Sequence, residues 1–310
     1  MTEMLTGRKE RIDRLAGDAS VGRSLWSEAF RRMRRSPVAI TGAVLVAAFL
    51  LLAAFAPLIA PHSATERFPQ LLQDLRADHI PGAQPGFPLG SDQLGHDLFS
   101  RLLLASQQTL LVAVAATVFG MAVGMLIGGT AGALGGWVDN VLMRLVDVLL
   151  SFPSLLLAIS IAALFSQGSQ WTVIIAVSTV AVPVFARLLR GSMLAQRHSE
   201  YVLAARATGV KPAAIVFRHM LPNSLGPVLV QATLTLAISI LEAAALSYLG
   251  LGDPNPDRAE WGLMLANAQR YFDVSPQLSF YPAIAIIVVA LGFTLLGESM
   301  REALDPKNRR

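Results

Sequence analysis

Cysteine is absent from this chain of 310 residues. Its absence excludes disulfide bonds, thiolate nucleophiles, thiolate zinc sites and cysteine-ligated iron–sulfur clusters. Charged residues are also scarce, at 15% against roughly 25% in soluble domains. Hydrophobic residues make up 54% of the chain, and the mean hydropathy is +0.54. With no internal repeat and no low-complexity segment, this composition indicates a multi-spanning membrane protein.

The chain also lacks a phosphate-binding loop of the form GxxxxGK[ST]. Only three of its 25 basic residues are lysines, at Lys9, Lys211 and Lys307, and none follows the glycines that such a loop requires. We therefore expect no nucleotide site on this chain. The basic residues lie between apolar runs, where they orient a protein in a bilayer, so no nucleic-acid partner is expected.

Six apolar stretches approach the length of about 20 residues that a helix needs to cross the hydrocarbon core. They are Val38–Ala60, Thr109–Leu134, Val148–Phe165, Trp171–Leu189, Leu225–Leu249 and Ser279–Gly297. A polar break at 166–170 makes the third and fourth a tight hairpin. The predicted fold is an all-α polytopic membrane helix bundle of about six transmembrane helices.

The distribution of basic residues predicts the orientation. Twenty lie in segments 1–37, 135–147, 187–222 and after 298, whereas five lie in 61–105 and 249–278, where acids outnumber bases. The positive-inside rule then places both termini in the cytoplasm. The predicted organisation is a basic N-terminal segment 1–37, a first helix 38–60, an extracytoplasmic loop 61–105, a core 106–298 containing a cytoplasmic loop 187–223, and a cytoplasmic tail 299–310.

The segment before the first span predicts an amphipathic helix over Ser24–Arg35. It places Trp26, Phe30 and Met33 on one face and four arginines around it. A helix of this kind lies in the headgroup layer, with its rings in the acyl boundary and its guanidinium groups on anionic lipid. We expect it to anchor and orient the chain on membrane lipid.

A stripe of glycines marks the second span. A glycine recurs every four residues, at Gly120, Gly124, Gly128, Gly132 and Gly136. Without side chains to hold two backbones apart, such a stripe favours close helix crossing. The crossing partner is either another helix of this subunit or a helix of a partner subunit, and the pattern favours neither.

Ionisable residues are almost absent from the predicted spans, although such residues usually mark proton or ion pathways. Glu242 is the one acid, in the middle to outer half of the fifth span. A lone glutamate without a basic partner makes a poor proton relay, so a buried hydrogen-bonding or interface role is favoured. Pro153 and Pro183 are expected to bend the hairpin helices. The spans therefore contain no chain of titratable groups that could use an ion or proton gradient, and any energy source must lie outside this chain.

The segment Ser199–Asn223 reads SEYVLAARATGVKPAAIVFRHMLPN. It predicts a short helix over Glu200–Ala207, a stop at Gly209, and a second helix from Pro212 to near His219. A helix with small side chains can sit deep in the groove of a partner. This basic helix–turn–helix between two spans therefore has the character of a docking element.

In this segment Glu200, Ala204, Ala205, Gly209, Leu221 and Pro222 resemble the EAA loop of bacterial ABC importer permeases, with its E…AA…G…LP spacing. Further stretches resemble the dipeptide/oligopeptide/nickel branch of that family, in particular its second permease subunit. They are LGSD at 89–92 with Ser100-Arg101, GGWVD at 135–139 with Phe152-Pro153, Glu242 with LSYLGLG at 246–252, and the tail motif ALDP at 303–306. The resemblance covers roughly residues 20–310.

The resemblance implies a type I ABC importer permease in a bacterial cytoplasmic membrane. A second homologous permease would complete the translocation path, and two ABC ATPase subunits, carrying ATP and Mg²⁺, would take the EAA loops into their grooves. An extracytoplasmic binding protein would deliver the solute, a peptide, nickel chelate, glutathione or similar compound. Within the loop, Glu200 is expected to make polar contacts, Ala204 and Ala205 a close fit, and Gly209 the turn. No catalytic residue, metal site or cofactor is implied on this chain.

Two departures from the family pattern lie at the external mouth, His96 in place of a common arginine and the segment 105–108. These departures bear on which ligand and which binding protein the chain matches, and not on the transport role that the resemblance implies. The alternative functions are an ion-coupled secondary transporter, for which Glu242 is the only candidate group and no inverted repeat is found, and a membrane-embedded enzyme. The five histidines, His62, His79, His96, His198 and His219, lack metal-ligand spacing, which disfavours the enzyme.

Overall fold

The computed structural model describes residues 30–76 and 78–304. Residues 24–29 of the predicted interfacial helix, including Trp26, and the tail from Asp305 onward lie outside the described residues. Residues 30–33 are helical, and Phe30 is exposed. All regular elements in the described ranges are helical. The α-helices are α1 Pro37–Ile59, α2 Pro69–Gln73, α3 Leu98–Leu134, α4 Gly136–Leu150, α5 Ser154–Ala162, α6 Gln170–Gln196, α7 Glu200–Ala207, α8 Pro212–Ile215, α9 Leu221–Tyr248, α10 Trp261–Ala268 and α11 Gln277–Leu304.

Five of these helices are long and apolar enough to cross a membrane, namely α1, α3, α6, α9 (with the preceding turns from Pro212) and α11. A sixth crossing is a bent pair, because α4 and α5 meet at 92° across a break of three residues. The all-α membrane bundle of about six spans is thus confirmed. The third span, predicted over Val148–Phe165 with a bend at Pro153, is broken at that residue, which lies extended with φ −56° and ψ 132° as the N-cap of α5.

Helices α3 and α6 run parallel. Their contacts advance together along both helices, from Gly120 against Ser178 and Ala181 to Gly132 against Met193. The chain between them must therefore return to its starting end, so α4 and α5 together make one crossing. The bundle has a basic end, which carries residues 197–220, and an acidic end, which carries the loops before α3 and between α9 and α11.

Several helices extend beyond the predicted spans. Helix α3 begins at Leu98 instead of near Thr109, because Asp97 caps it by accepting hydrogen bonds from the backbone N–H groups of Phe99 and Ser100. At 37 residues it is about 55 Å long, well beyond the roughly 30 Å hydrocarbon core. Helix α11 likewise continues through Leu304.

The packing places α9 at the centre of the bundle, in contact with α3, α6 and α11. Helix α1 lies antiparallel on α11, where Gly42 meets the backbone of Leu296 and Gly292 meets Leu45. At the acidic end α10 packs between α9 and α11, and Trp261 is buried against Phe49, with ring centroids 5.8 Å apart. The core therefore joins α1, α3, α9, α10 and α11 into one body.

Candidate functional site

The predicted docking loop forms an ordered unit at the basic end. Helix α7 spans Glu200–Ala207, as the sequence predicts, and its buried side is held by Val202, which is fully enclosed. Glu200 and Ala204 are exposed on the opposite side, one helical turn apart. Ala205 instead turns inward and packs against the buried cluster beneath the loop. The two alanines thus have different environments, and only Ala204 is open to a partner.

The turn after α7 depends on Gly209, whose φ of +78° lies in the left-handed region that favours glycine. The Gly209 N–H donates to the Arg206 carbonyl at 3.0 Å, and the Val210 N–H donates to the Ala205 carbonyl at 3.0 Å. These bonds satisfy the carbonyl groups at the helix end. Gly209 therefore fixes the angle at which α8 leaves α7.

The second helix of the loop does not end near His219, contrary to the sequence-based prediction. Helix α8 continues through a π-helical turn, Val216–Met220, directly into α9, which begins at Leu221. Pro222 has no N–H and would crowd the carbonyl of the preceding turn in a regular α-helix. The wider π-turn, in which the Leu221 N–H donates to the Val216 carbonyl, accommodates this proline without a break.

The loop is anchored on the inner halves of α6 and α9. Val202, Ile215 and Met220 are buried together with three side chains of α6. The α6 side chains are Phe185, Leu189 and Met193. An apolar groove of about 810 Å³ opens beside this anchor, between α3 and the second half of the loop, and Phe217 is 68% exposed on its wall.

The glycine stripe of α3 packs within this chain. A Cβ atom on Gly124 would lie 2.6 Å from the Val182 carbonyl oxygen, and one on Gly128 would lie 2.2 Å from the Ala186 carbonyl oxygen. Gly120 and Gly132 meet α6 in the same way. Gly136 does not belong to this contact, because a Cβ there would meet nothing within 4 Å; it begins α4 with φ +59°.

Two ion pairs hold the broken span against α6. The Arg190 guanidinium donates two bonds, of 2.5 and 2.7 Å, to the buried Asp139 carboxylate, and Arg187 donates to Asp147 at 2.6 Å. Both acids lie on α4. The bidentate geometry of the first pair adds orientation as well as charge attraction.

Glu242 lies on α9 and is 7% exposed. Its Oε1 atom is buried without a hydrogen-bond partner, and the side chain that faces the carboxylate is Ser154, the first residue of α5. On the same side of α9, Ser239 is buried and its hydroxyl lies 3.2 Å from that of Thr117 on α3. A short polar stripe therefore runs along α9 toward the break in the third span.

At the acidic end, a buried network joins the two outer loops. Arg101 is 1% exposed and donates from Nη2 to the Pro256 and Arg258 carbonyls, at 2.8 and 3.0 Å, and from Nη1 to the Ala64 carbonyl at 3.2 Å. His96 is fully buried, with Nδ1 2.8 Å from both Arg101 Nη1 and Asp92 Oδ2. His96 is therefore a buried member of the network that joins the outer loops at the acidic end.

The charges in this network are balanced by close pairing. Burial raises the pKa of Asp92, but the hydrogen bond with His96 and the charge of Arg101 together lower it below its usual range. At the rim, Arg67 donates to Asp257 at 2.6 Å and lowers the pKa of that carboxyl. Breaking such a network by removing one buried charge leaves the others uncompensated.

A second polar cluster lies where α10 begins. Burial raises the pKa of Glu260 to about 7, although the Ser247 hydroxyl and the Arg258 charge oppose the shift. Arg258 pairs with Asp253 and donates to Gln170 at the start of α6, at 2.9 Å. Ser247 belongs to the last turn of α9. Glu260 therefore stands at the junction of α6, α9 and α10.

These arrangements have counterparts in known proteins. The family model described as the binding-protein-dependent transport system inner membrane component matches residues 98–310, and that of the N-terminal transmembrane domain of oligopeptide transport permease C matches residues 24–81. The dipeptide transport system permease protein DppC of Alkalihalophilus pseudofirmus is 39% identical over 285 residues, which cover 92% of this chain and 90% of that protein.

A second relative, the glutathione transport system permease protein GsiD of Pectobacterium atrosepticum, is 38% identical over 295 residues, covering 94% of this chain and 93% of that protein. Among solved structures, a chain of the MetNI methionine ABC transporter in inward facing conformations matches with a TM-score of 0.56 at 18% identity. The matched region covers 67% of this chain and 98% of the MetNI chain. This last likeness concerns the fold alone.

Proposed function

Because the chain belongs to the family of binding-protein-dependent transport system inner membrane components, a multi-pass inner-membrane family, we propose that it imports peptides or closely related small solutes as one permease subunit of an ATP-driven transporter. The relatives named for dipeptide and glutathione transport support this substrate class. The observation that carries the proposal is the loop at the basic end, an exposed small-residue helix face on a buried anchor.

The proposed assembly assigns the remaining parts to partners. A second, homologous permease completes the path, and two ATPase subunits bind ATP and Mg²⁺ and receive the loops at the basic end, which faces the cytoplasm with both termini. A substrate-binding protein delivers the solute at the acidic end. The uneven distribution of basic residues supports this orientation.

The geometry of the loop suggests how ATPase motion reaches the path. Helix α7 is fixed to the bundle by Val202, and the chain from Pro212 continues through the π-turn into α9 without a flexible link. A displacement of the loop is therefore transmitted to α9. Alternating access requires such an element, with two positions whose equilibrium the ATPases bias.

The test is co-purification of the ATPase with the tagged chain, expressed together with its partners. Ala204→Trp places a large side chain on the exposed face of α7, where it does not disturb the core of this chain. Ala204→Ser is the matched control, since it keeps the side chain small. We expect the Ala204→Trp variant to co-purify with about one tenth of the ATPase that the wild type binds, because overpacking of a close contact costs about 1–3 kcal/mol. The Ala204→Ser variant should retain the wild-type amount.

Both variants must elute as the wild type does in size-exclusion chromatography, so that loss of ATPase reports docking. Retention of the ATPase by the Ala204→Trp variant would refute the role of this face. If no ATPase accompanies the well-folded wild-type chain, the importer function itself is wrong.

A further inference from the structure

Glu242 is the one carboxylate of the described spans that lies in the interior of a helix bundle without a matching cation. The arginines of α6, Arg187 and Arg190, are paired with acids of α4. Oε1 of Glu242 is buried and unpartnered. Burying a carboxylate without a cation costs several kcal/mol, so a residue of this kind in a membrane span marks a function.

The position of Glu242 places it beside the only break in the helices that cross the described bundle. Ser154, the side chain that faces the carboxylate, begins α5, directly after the bend of 92°. Residues 151–154 are exposed at this bend. Discontinuous helices in transporters form solute sites, because backbone that is not satisfied within a helix is tolerated in a membrane only where it is buried in protein or lines a cavity.

The chemistry of the group selects its ligand. A carboxylate in an apolar setting is stabilised by a group that carries a positive charge and several N–H donors. An ammonium group has both the charge and the donors. The Ser154 hydroxyl can add one more acceptor at the break. Every peptide with a free N-terminus carries such an ammonium group, so the solute itself can supply the charge that the chain lacks.

We infer that Glu242, with Ser154 at the break between α4 and α5, binds the ammonium group of the transported solute during its passage. The inference rests on the proposed function for its substrate class. It differs from a purely structural role, in which the carboxylate only caps the first turn of α5, because it requires that external cations reach the site.

The absence of cysteine from this chain allows a direct test. In the complete transporter, the S154C variant is reacted with a cationic reagent, aminoethyl methanethiosulfonate, and with an anionic one, sulfonatoethyl methanethiosulfonate. The modification of this chain is followed by its mass. S166C, at the exposed far end of the same span, is the matched control for the intrinsic difference between the reagents.

Relative to S166C, we expect S154C to favour the cationic reagent at least about tenfold, because a unit charge at short range in a protein site attracts strongly. The preference should disappear in S154C/E242Q and stay unchanged in S166C/E242Q. Dialanine should slow the reaction of S154C with the cationic reagent, and N-acetyl-dialanine should not. This protection experiment does not depend on the folding of the E242Q variant.

Three results would overturn the site: no reaction of S154C with either reagent, a charge preference that survives E242Q, or equal protection by the two peptides. ATP-driven uptake of dialanine by the wild-type transporter in proteoliposomes is measured alongside. Uptake without charge preference refutes the ammonium site and leaves the importer function standing. No uptake with any peptide refutes the importer function.

Discussion

The close approach of α3 and α6 makes a quantitative prediction for Gly128→Ala. The added Cβ would lie 2.2 Å from the Ala186 carbonyl oxygen and 2.8 Å from its carbonyl carbon. Both are backbone atoms in the middle of a helix, so no side-chain rotation can relieve the contact. The two helices must therefore separate locally, by about 1 Å, to reach ordinary van der Waals distance.

The neighbouring glycine provides an internal reference. A Cβ on Gly129 would lie 3.6 Å from Leu189 Cδ2, which is an ordinary contact. Both substitutions gain about 1 kcal/mol of helix propensity, so their difference isolates the helix contact. Overpacking costs about 1–3 kcal/mol. We expect Gly128→Ala to be less stable than Gly129→Ala by about 2 kcal/mol, a factor of about 30 in the unfolding equilibrium.

The measurement is the unfolding of both purified variants in detergent, titrated with sodium dodecyl sulfate and followed by tryptophan fluorescence. Gly128→Ala should unfold at a lower denaturant fraction than the wild type, and Gly129→Ala at the same fraction or a higher one. Equal midpoints for the two variants would show that α3 and α6 do not approach each other at the stripe, and the parallel packing described above would be wrong.

Three further predictions concern the two ends of the bundle. Arg101→Met should raise hydrogen exchange in residues 253–258 as if about 3–5 kcal/mol were lost, because it leaves Asp92 and His96 without their buried partner. Exchange as slow as in the wild type would contradict the network. Glu260 has a pKa of about 7 in the folded chain against 4.5 for the free side chain. The folded state therefore holds a proton that the unfolded state releases, so the contribution of Glu260 to stability is full below pH 4.5 and is lost as the pH rises to about 7. Glu260→Gln should flatten this part of a plot of melting temperature against pH. An unchanged slope would exclude Glu260 as its source. Gly209→Ala should lower the melting temperature, since a residue with a side chain pays about 1–2 kcal/mol to adopt φ +78°. The control Gly191→Ala lies inside α6 with open space around it and should not lower the melting temperature. A Gly209→Ala variant as stable as the wild type would show that the turn tolerates another geometry.

Features with a local cause could be predicted from the sequence. Helix α7 and the turn at Gly209 follow from helix propensity and a stop signal within ten residues, and the glycine stripe follows from a period of four. The period of four does not show which helix packs against the glycine stripe, so the sequence could not identify the crossing helix. The contacts with Val182 and Ala186 identify it as α6. The predicted end of the docking loop's second helix near His219 was wrong for a related reason, because a π-turn accommodates Pro222 where a proline usually stops a helix.

The network at the acidic end could not be predicted, because its members are far apart in the chain. Arg101 reaches the Pro256 carbonyl across 155 positions, and no local pattern relates the two. The position of His96 in an outer loop follows from the sequence, but its burial between Asp92 and Arg101 does not. The run Asp92, His96, Asp97 and Arg101 nevertheless concentrates charge before an apolar helix, and that density was the available signal.

Helix α9 connects the docking loop with two of the polar sites described above. It begins at the π-turn of the docking loop, carries Glu242 in its outer half, and ends with Ser247 against Glu260. The glycine stripe makes α3 and α6 one rigid pair, because their backbones are in contact along four turns. If the proposed motion is driven from the docking loop, α9 would move against that pair, and Glu242 lies on α9 where it faces Ser154. The proposed ammonium site is thus placed where a shift of α9 changes the distance from Glu242 to Ser154, which would couple binding and release of the solute to the state of the loop.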